Sequence, residues 1–249
     1  MFPIRDHNPS GRTPFVTMAL IAINVIVFLS YFTAMDDFQL SRFFQTWGLI
    51  PARVISGDGL ETAITSMFLH GGWMHLAGNM LFLWIYGDNL EEEMGHFGFL
   101  IFYLAAGLAA AGLQTFSDTG SMIPMVGASG AIAGVMGGYL LLFPKAKVDV
   151  LFIFVVFFRI FAIPAWIVLG LWFGIQIFSG IVTPTDAGGV AYWAHAGGFI
   201  GGVLLTLPVW LRRGAAGYWR ETAGHPPHPE TDFKASRSNI PLVPRRRLP

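Results

Sequence analysis

Cysteine is absent from all 249 residues. Disulfides, thiolate nucleophiles and thiolate metal sites are thereby excluded, which leaves hydroxyl, imidazole and carboxylate groups for any chemistry. Charge is the second scarcity. Only 12% of residues are charged, against about a quarter in a soluble domain, which needs them to cover its surface. The charge present is balanced, with 15 basic and 15 acidic residues, so no basic excess points to a nucleic-acid partner. Apolar residues make up 54% of the chain. This composition predicts an all-α membrane protein whose first partner is the lipid bilayer.

A membrane-spanning helix needs roughly 20 apolar residues. Six stretches qualify, at about 15–34, 67–86, 97–116, 124–143, 162–181 and 191–211. Residues 1–14 are mixed and polar and are expected to form a cytoplasmic N-terminal segment. The run opening at Phe15 passes through Phe32-Thr33-Ala34 into Met35-Asp36-Asp37 without a signal-peptide cleavage pattern, which predicts an uncleaved first span. Ahead of the fifth span the apolar stretch begins near Val148 and is interrupted by Arg159 and Pro164. Proline suits the start of a helix, so the fifth span is expected to begin near Ala162. Residues 149–158, about 15 Å long as a helix, are too short to cross. They are expected to lie along the interface or fold back.

Six spans return the chain to the side on which it began. With both ends cytoplasmic, only Arg42 and Arg53 of the 15 basic residues lie outside. The positive-inside rule therefore predicts an N-in, C-in six-helix bundle over 15–212. Residues 213–249 contain His225-Pro226-Pro227-His228-Pro229 and Pro244-Arg245-Arg246-Arg247. Their polarity and proline content predict a disordered cytoplasmic tail. The first loop, 35–66, holds Phe38, Phe43, Phe44, Trp47 and Leu49 and is expected to pack into the outer leaflet.

Polar side chains inside spans are costly and mark candidate functional sites. They concentrate in three spans: His70, His75 and Asn79 in the second, Ser129 in the fourth, His195 in the sixth. All three spans run from outside to inside, and each polar group falls in the first dozen residues. At about 1.5 Å per residue they share one depth, the outer half of the bilayer. Ser129 sits in Gly127-Ala128-Ser129-Gly130, where small neighbours such as Gly127 and Gly130 remove bulk around the hydroxyl. Gly130, Gly134 and Gly138 repeat every four residues, as do Ala194, Gly198 and Gly202, and again Gly197 and Gly201. Such faces let helix backbones approach closely. If the fourth and sixth spans meet along them, His195 can act as general base to a Ser129 nucleophile. His75 and Asn79, four apart on one helix face, are candidate oxyanion donors together with the Ser129 backbone N–H. A cavity open to the outer face would supply the hydrolytic water.

His70-Gly71-Gly72-Trp73-Met74-His75-Leu76-Ala77-Gly78-Asn79-Met80 resembles the second-helix signature of the rhomboid family of intramembrane proteases. Gly127-Ala128-Ser129-Gly130 is similar to that family's nucleophile motif, and Ala194-His195-Ala196-Gly197-Gly198 to its base motif. The motifs stand in the family's order, and the resemblance covers residues 15–211. It implies a Ser-His dyad without an essential carboxylate, a Ser129-linked acyl-enzyme, and an oxyanion hole containing His75 and Asn79. It also implies that no cofactor is needed and that single-span membrane proteins are the substrates. Two departures stand out. Some rhomboids stack a Tyr, four residues after the nucleophile, on the base; here that position is Ala133. Tyr192, Trp193 and Tyr139 are the neighbours considered for orienting His195 instead. The Trp-Arg pair that some bacterial relatives carry in the first loop has no counterpart, since Trp47 and Arg53 are not adjacent.

Other readings compete with these assignments. Ser129 and Asn79 can serve helix packing, and His70 reads as structural support near the outer interface, bonding the first loop. A metal site built from His70, His75 and His195 lacks any carboxylate ligand and the HExxH pattern, so none is expected. Asp88 and residues 91–93 read as a solvated helix end. A non-catalytic rhomboid-like protein that binds membrane clients is the alternative function. A transporter would need intramembrane carboxylates that the spans do not contain. The compact six-span form points to a bacterial inner membrane.

Overall fold

The computed structural model describes residues 2–154, 157–184 and 189–233. Six long helices dominate it: α1 (Phe15–Phe32), α5 (Trp73–Met94), α6 (His96–Ser117), α7 (Ser129–Leu142), α8 (Ala165–Val182) and α9 (Tyr192–Arg212). Short helices α2 (Asp37–Trp47), α3 (Pro51–Ile55) and α4 (Thr62–Thr65) occupy the first loop, and α10 (Ala216–Thr222) follows α9. By length and composition α1, α6, α8 and α9 can cross a membrane, and α7 is a shorter apolar helix. The protein is mostly helical, as expected, and carries several spanning candidates. In α5 the polar residues His75, Asn79, Asp88 and Asn89 dilute the apolar run.

Helix boundaries follow local chemistry. The second long helix starts at Trp73 rather than 67, because Ser66–Phe68 form a separate 3-10 turn and Gly71-Gly72 break the register. It continues to Met94 and stops at Gly95, whose φ of 72° suits glycine. The fourth starts at Ser129 rather than 124, since Pro124 and Gly127, with φ of 131°, hold the approach out of helical conformation.

The centre of the molecule is α7, buried continuously from Gly130 to Tyr139. A helix apolar on all sides belongs inside a bundle. Its glycine face meets that of α9 backbone to backbone: a Cβ at Gly198 would overlap the carbonyl oxygen of Gly130, and one at Gly202 that of Gly134. The second glycine face of α9 lies on α6, where a Cβ at Gly197 would stand 2.6 Å from Leu113 Cβ and one at Gly201 2.7 Å from Ala109 Cβ. Between α7 and α9 the nearest atoms at Gly198 and Gly202 are backbone, so the spacing of that pair is fixed by backbone contact.

The start of α1 has no side-chain cap of its own. Glu91 of α5 supplies one: its carboxylate accepts the Val16 N–H, the Thr17 N–H and the Thr17 hydroxyl, each at 2.8 Å. A carboxylate there satisfies orphan N–H groups and suits the positive end of the helix. Glu91 is 2% exposed, so this helix end is not the solvated one its sequence predicts. Glu92 accepts the Gly11 N–H, and Glu93 pairs with Arg213 at 2.6 Å. The acidic cluster ties both ends of the chain to α5.

A three-stranded antiparallel sheet, ordered β1-β2-β3, departs from the all-α expectation: β1 (Phe2–Asp6), β2 (Lys147–Phe154) and β3 (Phe157–Pro164). The β1–β2 register pairs Phe2 with Leu151 and Asp6 with Val148, and the β2–β3 register pairs Lys147 with Pro164 and Val150 with Phe161. Residues 149–154 and 157–158, expected to lie along the interface or fold back, are antiparallel strand rather than helix, while 155 and 156 lie outside the described residues. Consequently α8 begins at Ala165, not 162, with Pro164 at its N-cap. β-branched and aromatic residues favour a pleated surface, and Val148 and Val150 turn inward. Asp149, on the opposite face, is 4% exposed and accepts bonds from Arg5 Nε at 2.6 Å and His7 Nε2 at 2.8 Å. Burial alone would raise this carboxyl, but the His7 and Arg5 contacts outweigh it and hold it below the usual carboxylate range.

Residues 213–233, the first part of the expected disordered tail, are ordered against the bundle. In and after α10, Tyr218 is buried, Trp219 Nε1 donates to the Leu141 carbonyl at 3.0 Å, and Glu230 pairs with Lys147 at 3.1 Å. Aromatic burial and an ion pair offset the polarity that predicted disorder. Residues 234–249, including Arg245, Arg246 and Arg247, lie outside the described residues. The first loop is largely helical. Asp36 and Gln39 form a capping box at α2, while Phe43 and Phe44 pack on Tyr31 of α1.

Candidate active site

Ser129 is the first residue of α7, and His195 the fourth of α9. The glycine contacts between these helices start one residue after Ser129 and three after His195. Close backbone approach therefore acts directly beside the two side chains. His195 Nε2 lies 2.8 Å from Ser129 Oγ. At that distance a neutral imidazole can accept the hydroxyl proton.

His75 and Asn79 project from α5 into the same cavity, which encloses about 650 Å³ and is also lined by Ser129, Trp172 and His195. The loop residues Ser121, Pro124 and Val190 line it as well, so the cavity reaches the loop end of the bundle. The Gly71 N–H donates to His75 Nδ1 over a long 3.4 Å. With Nδ1 accepting, the neutral ring carries its proton on Nε2. That nitrogen faces Gly127: a Cβ there would lie 2.7 Å from His75 Nε2 and 3.5 Å from Ser129 Oγ. Glycine is needed at this position twice over, for its φ of 131° and for the space between donor and hydroxyl. Asn79 is 7% exposed, and its Nδ2 has no hydrogen-bond partner among the described residues. The Ser129 N–H belongs to the first turn of α7, which has no intrahelical acceptor for it and carries partial positive charge. Three donors thus border the cavity that Ser129 lines, an arrangement able to stabilise an oxyanion.

Gly130 packs on α6 and α9, where a Cβ would meet Ala110 Cβ at 2.5 Å and Ala194 O at 3.6 Å. His70 is fully buried, and its ring stands 5.1 Å from that of His75. Its backbone, rather than its imidazole, makes the support: the Tyr31 hydroxyl donates to His70 O at 2.8 Å and accepts from His70 N at 2.7 Å. The partner is α1, not the first loop, and the ring nitrogens are unpaired among the described residues. No group of three or more His, Asp or Glu side chains poised for a metal occurs among the described residues.

The neighbours considered for His195 are not the ones that hold it. Tyr139 lies ten residues beyond Ser129, at the other end of α7, where its hydroxyl donates to Asp6 at 2.7 Å. Tyr192 and Trp193 pack around Gly180 of α8. The ring facing His195 is Trp172, at 5.6 Å between centroids, and its polar partner is Gln176, with Oε1 2.8 Å from His195 Nδ1. The signal that could have found this residue is a lone amide in an otherwise apolar fifth span, four residues from a Trp on the same face. Gln114 of α6 is a second unanticipated contact, accepting the Ala194 N–H at 3.1 Å.

Residues 58–212 match the family model described as Rhomboid domain. Among curated proteins, the chain is 31% identical over 199 residues to "Rhomboid protein 1, mitochondrial" of Saccharomyces cerevisiae, covering 75% of this chain and 51% of that one. It is 34% identical over 153 residues to "Rhomboid protease GluP" of Bacillus subtilis, covering 61% and 27%. "Rhomboid-like protein 11, chloroplastic" of Arabidopsis thaliana is 40% identical over 72 residues, 29% of this chain and 25% of that protein. The chain therefore spans from a quarter to about half the length of these relatives.

Proposed function

The chain belongs to the rhomboid family, and on that premise we propose that it is an intramembrane serine endopeptidase acting through Ser129 and His195. The observation that carries the reading is the 2.8 Å contact between Ser129 Oγ and His195 Nε2 on a cavity shared with His75 and Asn79.

His195 Nε2 takes the hydroxyl proton as Ser129 Oγ attacks the scissile carbonyl carbon. The carbonyl oxygen becomes an oxyanion facing the Ser129 N–H, His75 Nε2–H and Asn79 Nδ2. The C–N bond then breaks, and the imidazolium returns its proton to the departing amine. An ester on Ser129 remains. Water enters from the loop end of the cavity, gives a proton to His195 Nε2 and attacks the ester carbon. The C–Oγ bond breaks, the imidazolium returns the proton to Ser129 Oγ, and the carboxylic acid leaves. No charged side chain is required beyond the transient imidazolium.

The same reading takes the six long helices as six spans, forming the protease domain over 15–212, with both ends cytoplasmic. It takes 1–14 as a cytoplasmic segment and 213–249 as a cytoplasmic extension. Its support is the Lys and Arg distribution, which leaves Arg42 and Arg53 on the other side. The protein is an integral multi-pass membrane protein. We read its membrane as a bacterial plasma membrane, on the strength of the compact six-span form. Substrates are single-span membrane proteins whose helix can unwind beside the outer leaflet.

The decisive experiment is cleavage of a single-span model substrate in liposomes by the wild-type protein and Ser129→Ala. Cleavage should fall to background in the variant, which should keep its fold. Undiminished cleavage would sink the mechanism. A wild-type protein that neither cleaves nor reacts with a fluorophosphonate would leave client binding as the better account.

A further inference from the structure

We propose that Gln176 is the positioning residue of the site, fixing the tautomer and ring plane of His195 as a neutral third partner. The inference rests on the proteolytic reading of Ser129 and His195. In a neutral imidazole one nitrogen carries hydrogen and the other a lone pair. A base for Ser129 must present the lone pair at Nε2, so the hydrogen must sit on Nδ1. Gln176 Oε1, 2.8 Å from Nδ1, can only accept. It therefore favours the one tautomer in which Nε2 is free to take the serine proton.

The amide orientation is itself determined. Gln176 Nε2 lies 3.4 Å from the carbonyl oxygen of Trp172, one turn earlier in α8. A carbonyl can bond only the NH₂ end of the amide, which leaves the oxygen to face His195. With the amide turned over, its NH₂ would donate to Nδ1 and drive the imidazole hydrogen onto Nε2, against the serine hydroxyl. Gln176 is 7% exposed, so bulk water does not compete for these atoms. Trp172 lies over the imidazole at a 35° tilt and limits tipping of the ring. Trp172 and Gln176, both from α8, together do for His195 what the residue at Ala133 is too small to do.

An amide also suits the surroundings better than a carboxylate. The faces of α8 and α9 around the pair are largely apolar, and the titratable groups that share the cavity with His195 among the described residues are His75 of α5 and Tyr192 of α9. A buried carboxylate there would carry a desolvation cost that a neutral acceptor avoids.

The test is steady-state cleavage of a single-span substrate by the full chain in liposomes, comparing wild type with Gln176→Met and Gln176→Glu. Methionine keeps the volume and removes the acceptor. It should lower kcat about 10- to 100-fold, a fraction of the general-base contribution, while KM changes less than about 3-fold. Glutamate restores an acceptor for Nδ1–H and adds a charge beside the ring. It should recover turnover relative to methionine and move the acid limb of the pH–kcat profile to higher pH. Wild-type kcat in Gln176→Met, with Ser129→Ala inactive, would overturn the positioning role and leave the protease intact. Equal losses in both variants, with no displacement of the pH profile, would also overturn it by reducing Gln176 to a packing residue. An inactive, unlabelled wild type would instead remove the reading on which the inference rests.

Discussion

Replacing Gly198 with Ala should separate the two halves of the site without touching either reacting side chain. A Cβ at this position overlaps the carbonyl oxygen of Gly130 and stands 2.8 Å from its carbon and 3.3 Å from its Cα. All three neighbours are backbone, so no rotamer change relieves the clash. Restoring ordinary contact, about 3.5 Å between such atoms, requires α9 to move away from α7 by more than about 1 Å. Gly130 follows Ser129 directly, and His195 is one turn before Gly198, so the displacement reaches the 2.8 Å contact almost undiminished. A hydrogen bond opened by about 1 Å is lost, and misplacement of that size costs about 100-fold in rate. The overpacking should also lower stability by about 1–3 kcal/mol. Initial rates in liposomes, fluorophosphonate labelling of Ser129 and thermal melting would measure each consequence. Gly170→Ala in α8, where an added Cβ meets nothing within 4 Å, is the control and should cleave at the wild-type rate. Wild-type turnover and melting in Gly198→Ala would refute backbone contact as the device that sets the dyad spacing.

Glu91→Ala should destabilise the protein by about 2 kcal/mol, the upper range for losing a helix cap, because it removes three bonds to the start of α1. Hydrogen exchange should accelerate first at Val16 and Thr17, and unchanged protection there would contradict the capping role. The contact between Asp6 and Tyr139 predicts a pH dependence. Burial pushes the Asp6 carboxyl up to about 8, although the Tyr139 hydroxyl bonded to it pulls the other way. Between its ordinary value of 3.8 and about 8 the folded chain keeps a proton that the unfolded chain has released. Stability therefore falls as pH rises through that window and levels off above it. Asp6→Asn should flatten this slope, and identical melting shifts from pH 5 to pH 8 in variant and wild type would refute it.

The elements around Ser129 and His195 were legible because their signals are local. A serine among glycines, a histidine beside small residues, and the Gly130/Gly134 and Gly198/Gly202 repeats each occupy a few consecutive turns, and helix geometry carries them to one face. Gln176 has no such company. Its meaning depends on how α8 is rotated against α9, which no periodicity in a uniformly apolar helix reveals. The sheet was hidden for a related reason: an apolar run such as Val150-Leu151-Phe152-Ile153 suits a buried strand and a membrane helix equally. The discriminating residue, Asp149, makes sense only beside Arg5 and His7, more than 140 positions away in the chain. Glu91 reads as solvated in sequence because nothing there says that the first turn of α1 lies against it. The order of residues 213–233 had one visible sign, the adjacent aromatics Tyr218 and Trp219 within a polar segment.

The two ends of the bundle are built on opposite terms, and α7 joins them. At its start, Ser129 faces a cavity where the Asn79 amide is left without a partner among the described residues, and Gly127 keeps space open beside His75. Unmet donors in a buried place cost stability, and the proposed reaction needs them unmet until an oxyanion forms. At the other end the charged groups and Tyr139 are tied, although among the described residues the Asn8 and Tyr86 side chains are not: Glu91 to α1, Glu93 to Arg213, Asp149 to Arg5 and His7, Tyr139 to Asp6. Tyr139 and Ser129 are ten residues apart on one helix, about 15 Å. A rigid α7, clamped at the Tyr139 end and packed against α9 by backbone contact, cannot shift to satisfy the groups around Ser129. The bonds at the far end thus preserve the unsatisfied state of the near end, which a looser helix would relax away.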